Sequence, residues 1–63
     1  MTTLIKRNAT ITIEVKTTES GYQVQSHLEA PGQSGTRYGK VYKSRKLAEK
    51  DLIKWVDEQN KYN

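Results

Sequence analysis

No cysteine occurs in this chain of 63 residues, which excludes a disulfide framework and any thiolate metal site. A reducing cytoplasm is the expected setting. The single histidine, His27, does not make a histidine-based zinc site alone, and no cofactor or metal is expected. Long apolar runs are missing as well. Nothing approaches the roughly 18 residues of a membrane-spanning helix, and residues 1–5 lack the layout of a signal peptide. Proline occurs once, at Pro31, and phenylalanine not at all. So short a chain makes one small domain near the lower limit for independent folding. A sheet with a single helix hardly encloses the several hundred Å3 that catalytic pockets usually occupy, so an enzyme is not expected.

What is present is positive charge, unevenly placed. Residues 1–36 balance Lys6, Arg7 and Lys16 against Glu14, Glu19 and Glu29. Residues 37–63 set eight cations against four acids, so the whole net charge of +4 belongs to the last strand and the helix. An asymmetry of this kind speaks to partners, polyanions above all, and not to fold.

The most regular local pattern runs over residues 10–16. Ile11, Ile13 and Val15 alternate there with Thr12, Glu14 and Lys16, and β-branched residues fill most positions, as a half-buried strand requires. Residues 17–21 carry turn chemistry, with Gly21 available for a positive φ. Residues 22–30 alternate again, Tyr22, Val24, Ser26, Leu28 and Ala30 inward, Gln23, Gln25, His27 and Glu29 outward. A polar loop is expected over residues 31–36, then a third strand over residues 37–43 with Gly39 and Val41 inward and Tyr38, Lys40 and Tyr42 outward. Ser44 suits a helix N-cap. After it Ala48, Leu52, Trp55, Val56 and the stem of Gln59 recur at helical spacing on one face.

The expected fold is α+β: a three-stranded antiparallel sheet with one C-terminal helix packed on one face, in the order β-β-β-α. The domain covers residues 10–63, and residues 1–9 form a flexible N-terminal arm. The expected core is Ile11, Ile13, Val15, Tyr22, Val24, Leu28, Val41, Ala48, Leu52, Trp55 and Val56, with Trp55 as its hub.

Two surfaces are then candidates for binding. The helix start carries Arg45 and Lys46 in its first turn, Lys43 before it and Lys50 one turn on. Cations cost stability at the positive end of a helix dipole, where acids would help. Together with the Ser44 hydroxyl and the free N–H groups they suit a phosphate. The other reading is a solvated basic end, partly neutralised by Glu49 and Asp51. The second surface is the uncovered side of the sheet. Gln and Lys there pair with base edges or phosphates and Tyr supplies stacking, but the same residue types also suit any exposed strand.

Residues 21–55, GYQVQSHLEAPGQSGTRYGKVYKSRKLAEKDLIKW, resemble the small three-stranded DNA-binding domains of the AP2 and integrase-arm type. The resemblance lies in a Gly-aromatic strand, a turn, a basic-aromatic strand and a Ser/Thr-Lys-x-x-Ala helix start, in that order. It implies a sheet face laid in the DNA major groove, with Gln23, Gln25, His27, Arg37, Tyr38, Lys40 and Tyr42 as base or groove contacts. The run Lys43-Ser44-Arg45-Lys46-Leu47-Ala48-Glu49-Lys50 also resembles the C-terminal half of double-stranded-RNA-binding domains. That likeness implies Arg45, Lys46 and Lys50 as phosphate contacts.

The expected function is a small nucleic-acid-binding protein, of a phage or mobile element, with duplex DNA favoured and RNA as the other choice. Lys43, Ser44, Arg45, Lys46 and Lys50 would hold phosphates. The rival is a protein-interaction module, an inhibitor or assembly factor docking through the exposed sheet face with Tyr38, Tyr42 and Tyr62 as anchors. A monomer or a weak homodimer paired through a sheet edge is expected, with no membrane partner.

Overall fold

A computed structural model of the chain describes residues 1–61. Tyr62, named above as an anchor, lies outside the described residues. Four strands follow one another, β1 (Thr2–Lys6), β2 (Ala9–Thr18), β3 (Gly21–Ala30) and β4 (Gln33–Tyr42), and helix α1 (Arg45–Lys61) closes the described chain. The strands pair antiparallel with their sequence neighbours, in the order β1-β2-β3-β4. The three-stranded sheet expected from the sequence is thus corrected to a four-stranded meander. The α+β class with one C-terminal helix stands.

The fourth strand comes from the segment expected to be a loose arm. Thr2, Leu4 and Lys6 pair with Ile13, Ile11 and Ala9 and share their face, while Ile5 points the other way and is exposed. A lysine facing the helix and an isoleucine facing solvent invert the usual pattern, so periodicity alone does not mark the strand. The reason for Lys6 is tertiary. Its ammonium donates to the Gln59 carbonyl in the last turn of α1, where a cation is favoured by the helix dipole.

β4 is also longer than expected. Ala30 pairs with Gln33, so the turn is only Pro31-Gly32, and residues 33–36 join the sheet. Proline fixes its own φ near −65°, and Gly32 has a φ of 79°, the combination a type II turn needs. The expected six-residue loop is corrected to a two-residue one.

At its other end β4 carries a bulge. Gln25 pairs with Tyr38 and Gln23 with Val41, so Gly39 and Lys40 together stand opposite Val24 alone. An extra residue shifts the alternation by one and sends every later side chain to the opposite face. Val41, expected inside, is 39% exposed. Tyr42, expected outside, pairs with Tyr22 on the helix side.

The inner face carries the core. Ile11, Ile13 and Val24 are buried, with Leu4, Val15, Leu28, Leu52, Trp55 and Val56 packed against them and Ala48 buried at the start of the helix. α1 lies chiefly over β2 and β3, with its Trp55 edge reaching β4. The inner-face Ser26 is buried opposite Ile13. No helix among the described residues is long and apolar enough to cross a membrane.

Candidate nucleic-acid interface

The register divides the sequence-derived contacts between two faces. Gln23, Gln25, His27 and Tyr38 fall on the open side of the sheet, beside Thr12, Glu14 and Lys16 of β2. Arg37 does not. It pairs with Ser26 on the inner face, and its guanidinium carbon stands 5.3 Å from the centre of the Trp55 ring. Lys40 and Tyr42 leave the open face because of the bulge. The Lys40 ammonium is 5.8 Å from the centre of the Tyr42 ring.

The open face is poorly equipped for bases or phosphates. Gln23 donates its amide to the Gly39 carbonyl at 2.8 Å, bracing the bulge from across the strand pair. His27 is held between the Thr36 hydroxyl at 2.9 Å and the Glu29 carboxylate at 3.2 Å. Lys16 pairs with Glu14 at 2.7 Å. With Glu14 and Glu29 both on this side and Lys16 matched, its charge does not favour a polyanion. Of the residues named for base or groove contacts, Gln25 and the exposed Tyr38 stay on this face with no side-chain bond among the described residues.

The helix side is different. Ser44 opens α1 by accepting the Ala48 N–H on its carbonyl at 3.2 Å, and the first turn contains no acid. Arg45 pairs with Glu49 at 3.5 Å, one turn on, and lies toward Met1, Glu14 and Val15 at the β1–β2 end. An exposed pair of this kind is weak but lowers the local positive charge. Lys43, Lys46 and Lys50 form no ion pair with an acid among the described residues. Lys46, Lys50 and Lys54 are exposed and recur at every fourth position, so they form one row along the outer side of the helix. Lys54 was not singled out from the sequence, although its spacing from Lys46 and Lys50 is visible there.

Helix and β4 are stitched together between these cations. The Tyr42 phenol lies close enough to the Asp51 carboxylate to feel its charge. Partial burial lifts the phenol above its ordinary pKa, and the negative charge of Asp51 adds to the rise. Asp51 forms no ion pair with the neighbouring lysines among the described residues. Trp55 reaches further along the same seam to Gly39 and Arg37.

Comparison with protein-family models, with curated proteins and with solved structures found no match, so the functional reading rests on this geometry.

Proposed function

We propose that this chain binds nucleic acid, duplex DNA first, by holding phosphates with the cations at and beyond the start of α1. The observation that carries the reading is that Lys43, Lys46 and Lys50 stand exposed and without acidic partners beside a first helical turn that contains no acid. Self-stability would prefer carboxylates there. The first-turn N–H groups and Ser44 add donors of the kind phosphate accepts. Arg45, matched by Glu49, contributes less. A cysteine-free chain suits the reducing cytoplasm where such a ligand is met.

Recognition in this reading is by backbone, not by sequence. Of the open-face residues named for base contacts, Gln23 and His27 are already engaged within the chain. Neutralising about four phosphates gives a log–log salt slope of about −3.6 for a duplex. Fluorescence anisotropy with a labelled duplex at low and moderate salt measures it. Replacing Lys43, Lys46 and Lys50 by Gln should weaken every duplex alike while leaving the circular dichroism spectrum unchanged. Binding that is absent at low salt, or indifferent to salt, refutes the reading. The rival, a protein docked on the open face, predicts a partner that stays bound after nuclease treatment. Ile5 and Tyr38 are exposed there, but they sit on opposite edge strands with β2 and β3 between them.

A further inference from the structure

The bulge at Gly39-Lys40 and the two cation–aromatic contacts along β4 have no part in the reading above, and together they extend it. We propose that Arg37 and Lys40 form a second phosphate-binding pair, so that a double-stranded nucleic acid lies along the β4 edge and the outer row of α1 with the open sheet face turned away. This inference rests on the nucleic-acid reading and names the surface and strandedness of the ligand.

Three observations support it. The first is the bulge, which brings Lys40 to the helix side, where Arg37 already lies. β4 is an edge strand, so both cations border open solvent beside Lys43. Bulges commonly re-aim a side chain at an edge in this way. The second is pre-organisation. Arg37 over Trp55 and Lys40 over Tyr42 stand within cation–π reach of their rings, which biases both toward the helix side, and both remain exposed. An exposed guanidinium with no acid partner among the described residues has its N–H edge free for two parallel bonds to a phosphate.

The third is the aromatic inventory. Proteins that hold single strands offer exposed rings on which bases stack. Here Trp55 and Tyr42 are half-buried, Trp55 beside Gly39 with Arg37 over its ring, and Tyr42 with Lys40 over its ring. Among the described residues Tyr38 is the aromatic side chain that stands well exposed, and it is on the opposite face. Charge without stacking platforms fits a duplex backbone.

The test compares the full chain with Arg37→Gln/Lys40→Gln and with Gln25→Ala/Tyr38→Ala. The probes are a labelled mixed-sequence duplex and its single strand, over a range of salt. The wild type should prefer the duplex. Loss of two cations should make the duplex slope shallower by about 1.8, while the open-face variant keeps wild-type affinity. Emission of Trp55, the single tryptophan, should change when the duplex is added. If Arg37→Gln loosens the fold, Lys40→Gln alone leaves the Arg37–Trp55 contact intact and should change the slope by about 0.9. Unchanged binding by the Arg37 and Lys40 variants, with loss on removing Lys43, Lys46 and Lys50, overturns this inference and leaves the earlier reading standing. Preference for the single strand, or loss of binding in Gln25→Ala/Tyr38→Ala, also overturns it. A wild type that binds neither probe removes both.

Discussion

Gly39 sits in the bulge against the Trp55 ring, and a Cβ built on its backbone would lie 2.9 Å from Trp55 Cζ2 and 3.3 Å from the Val24 carbonyl oxygen. Carbon atoms prefer separations of about 3.5–4.0 Å, so the indole would have to withdraw by roughly 0.6–1 Å. It has little room to do so. One side of the seam is the Ile11, Ile13 and Val24 cluster, and Arg37 stands over the ring. The Val24 oxygen belongs to the neighbouring strand and moves only if the ladder moves. Overpacking of this kind costs about 1–3 kcal/mol. Alanine restricts the unfolded chain more than glycine does, which returns about 0.4–1 kcal/mol. At the midpoints of these two ranges Gly39→Ala should therefore destabilise by about 1.3 kcal/mol and lower the melting temperature by roughly 5–10 °C. Circular dichroism melts measure this directly. Trp55→Phe supplies the control, because phenylalanine lacks the outer indole ring to which Cζ2 belongs. In that background most of the cost of Gly39→Ala should vanish, giving a clear coupling term in a double-mutant cycle. Equal cost in both backgrounds, or a variant that melts with the wild type, would refute the steric account of the bulge.

Gly32→Ala makes the complementary case, since no atom lies within 4 Å of a Cβ there and only the φ of 79° opposes it. A cost of about 1–2 kcal/mol is expected in urea titrations, and wild-type stability would show that the turn adapts freely. Lys6→Gln removes the ammonium on the Gln59 carbonyl and should cost up to about 1 kcal/mol. Hydrogen exchange should report faster opening of β1 in that variant, with β2 and β3 little affected. The Tyr42 phenol has a folded-state pKa raised above its unfolded value, so its stabilisation is complete below about pH 10 and is lost as pH rises through the folded value. Denaturant titrations should show wild-type stability falling on the alkaline side and a flatter profile for Tyr42→Phe. Identical alkaline profiles would remove Asp51 and burial as the cause.

Most of the architecture was legible where the signal is local. Strict alternation over Ile11, Ile13 and Val15, and over Val24, Ser26 and Leu28, marks two strands whatever they pair with. Ala48, Leu52, Trp55 and Val56 mark a helix in the same way. β1 was hidden because Arg7 and Asn8 link Lys6 to Ala9 without a positive φ, so the turn residues that flag most two-residue hairpins are missing. The first half of β4 was hidden because Gln33, Ser34, Gly35 and Thr36 carry no apolar alternation at all. Their pairing with β3 is imposed by the Pro31-Gly32 turn. The helix-entrance cations Lys43, Lys46 and Lys50 were readable from charge placement. The facing of Arg37, Lys40 and Tyr42 was not.

By itself, then, the amino-acid order determined that a long hairpin and an amphipathic helix would form, and that the positive charge would travel with the last strand and that helix. These are properties of neighbours a few positions apart, and backbone geometry converts them directly into faces. Only the tertiary structure decided that the sheet has a fourth strand and that Lys40 and Tyr42 turn toward the helix. A strand's register depends on its partner, and a single unpaired residue opposite Val24 reverses every side chain beyond it.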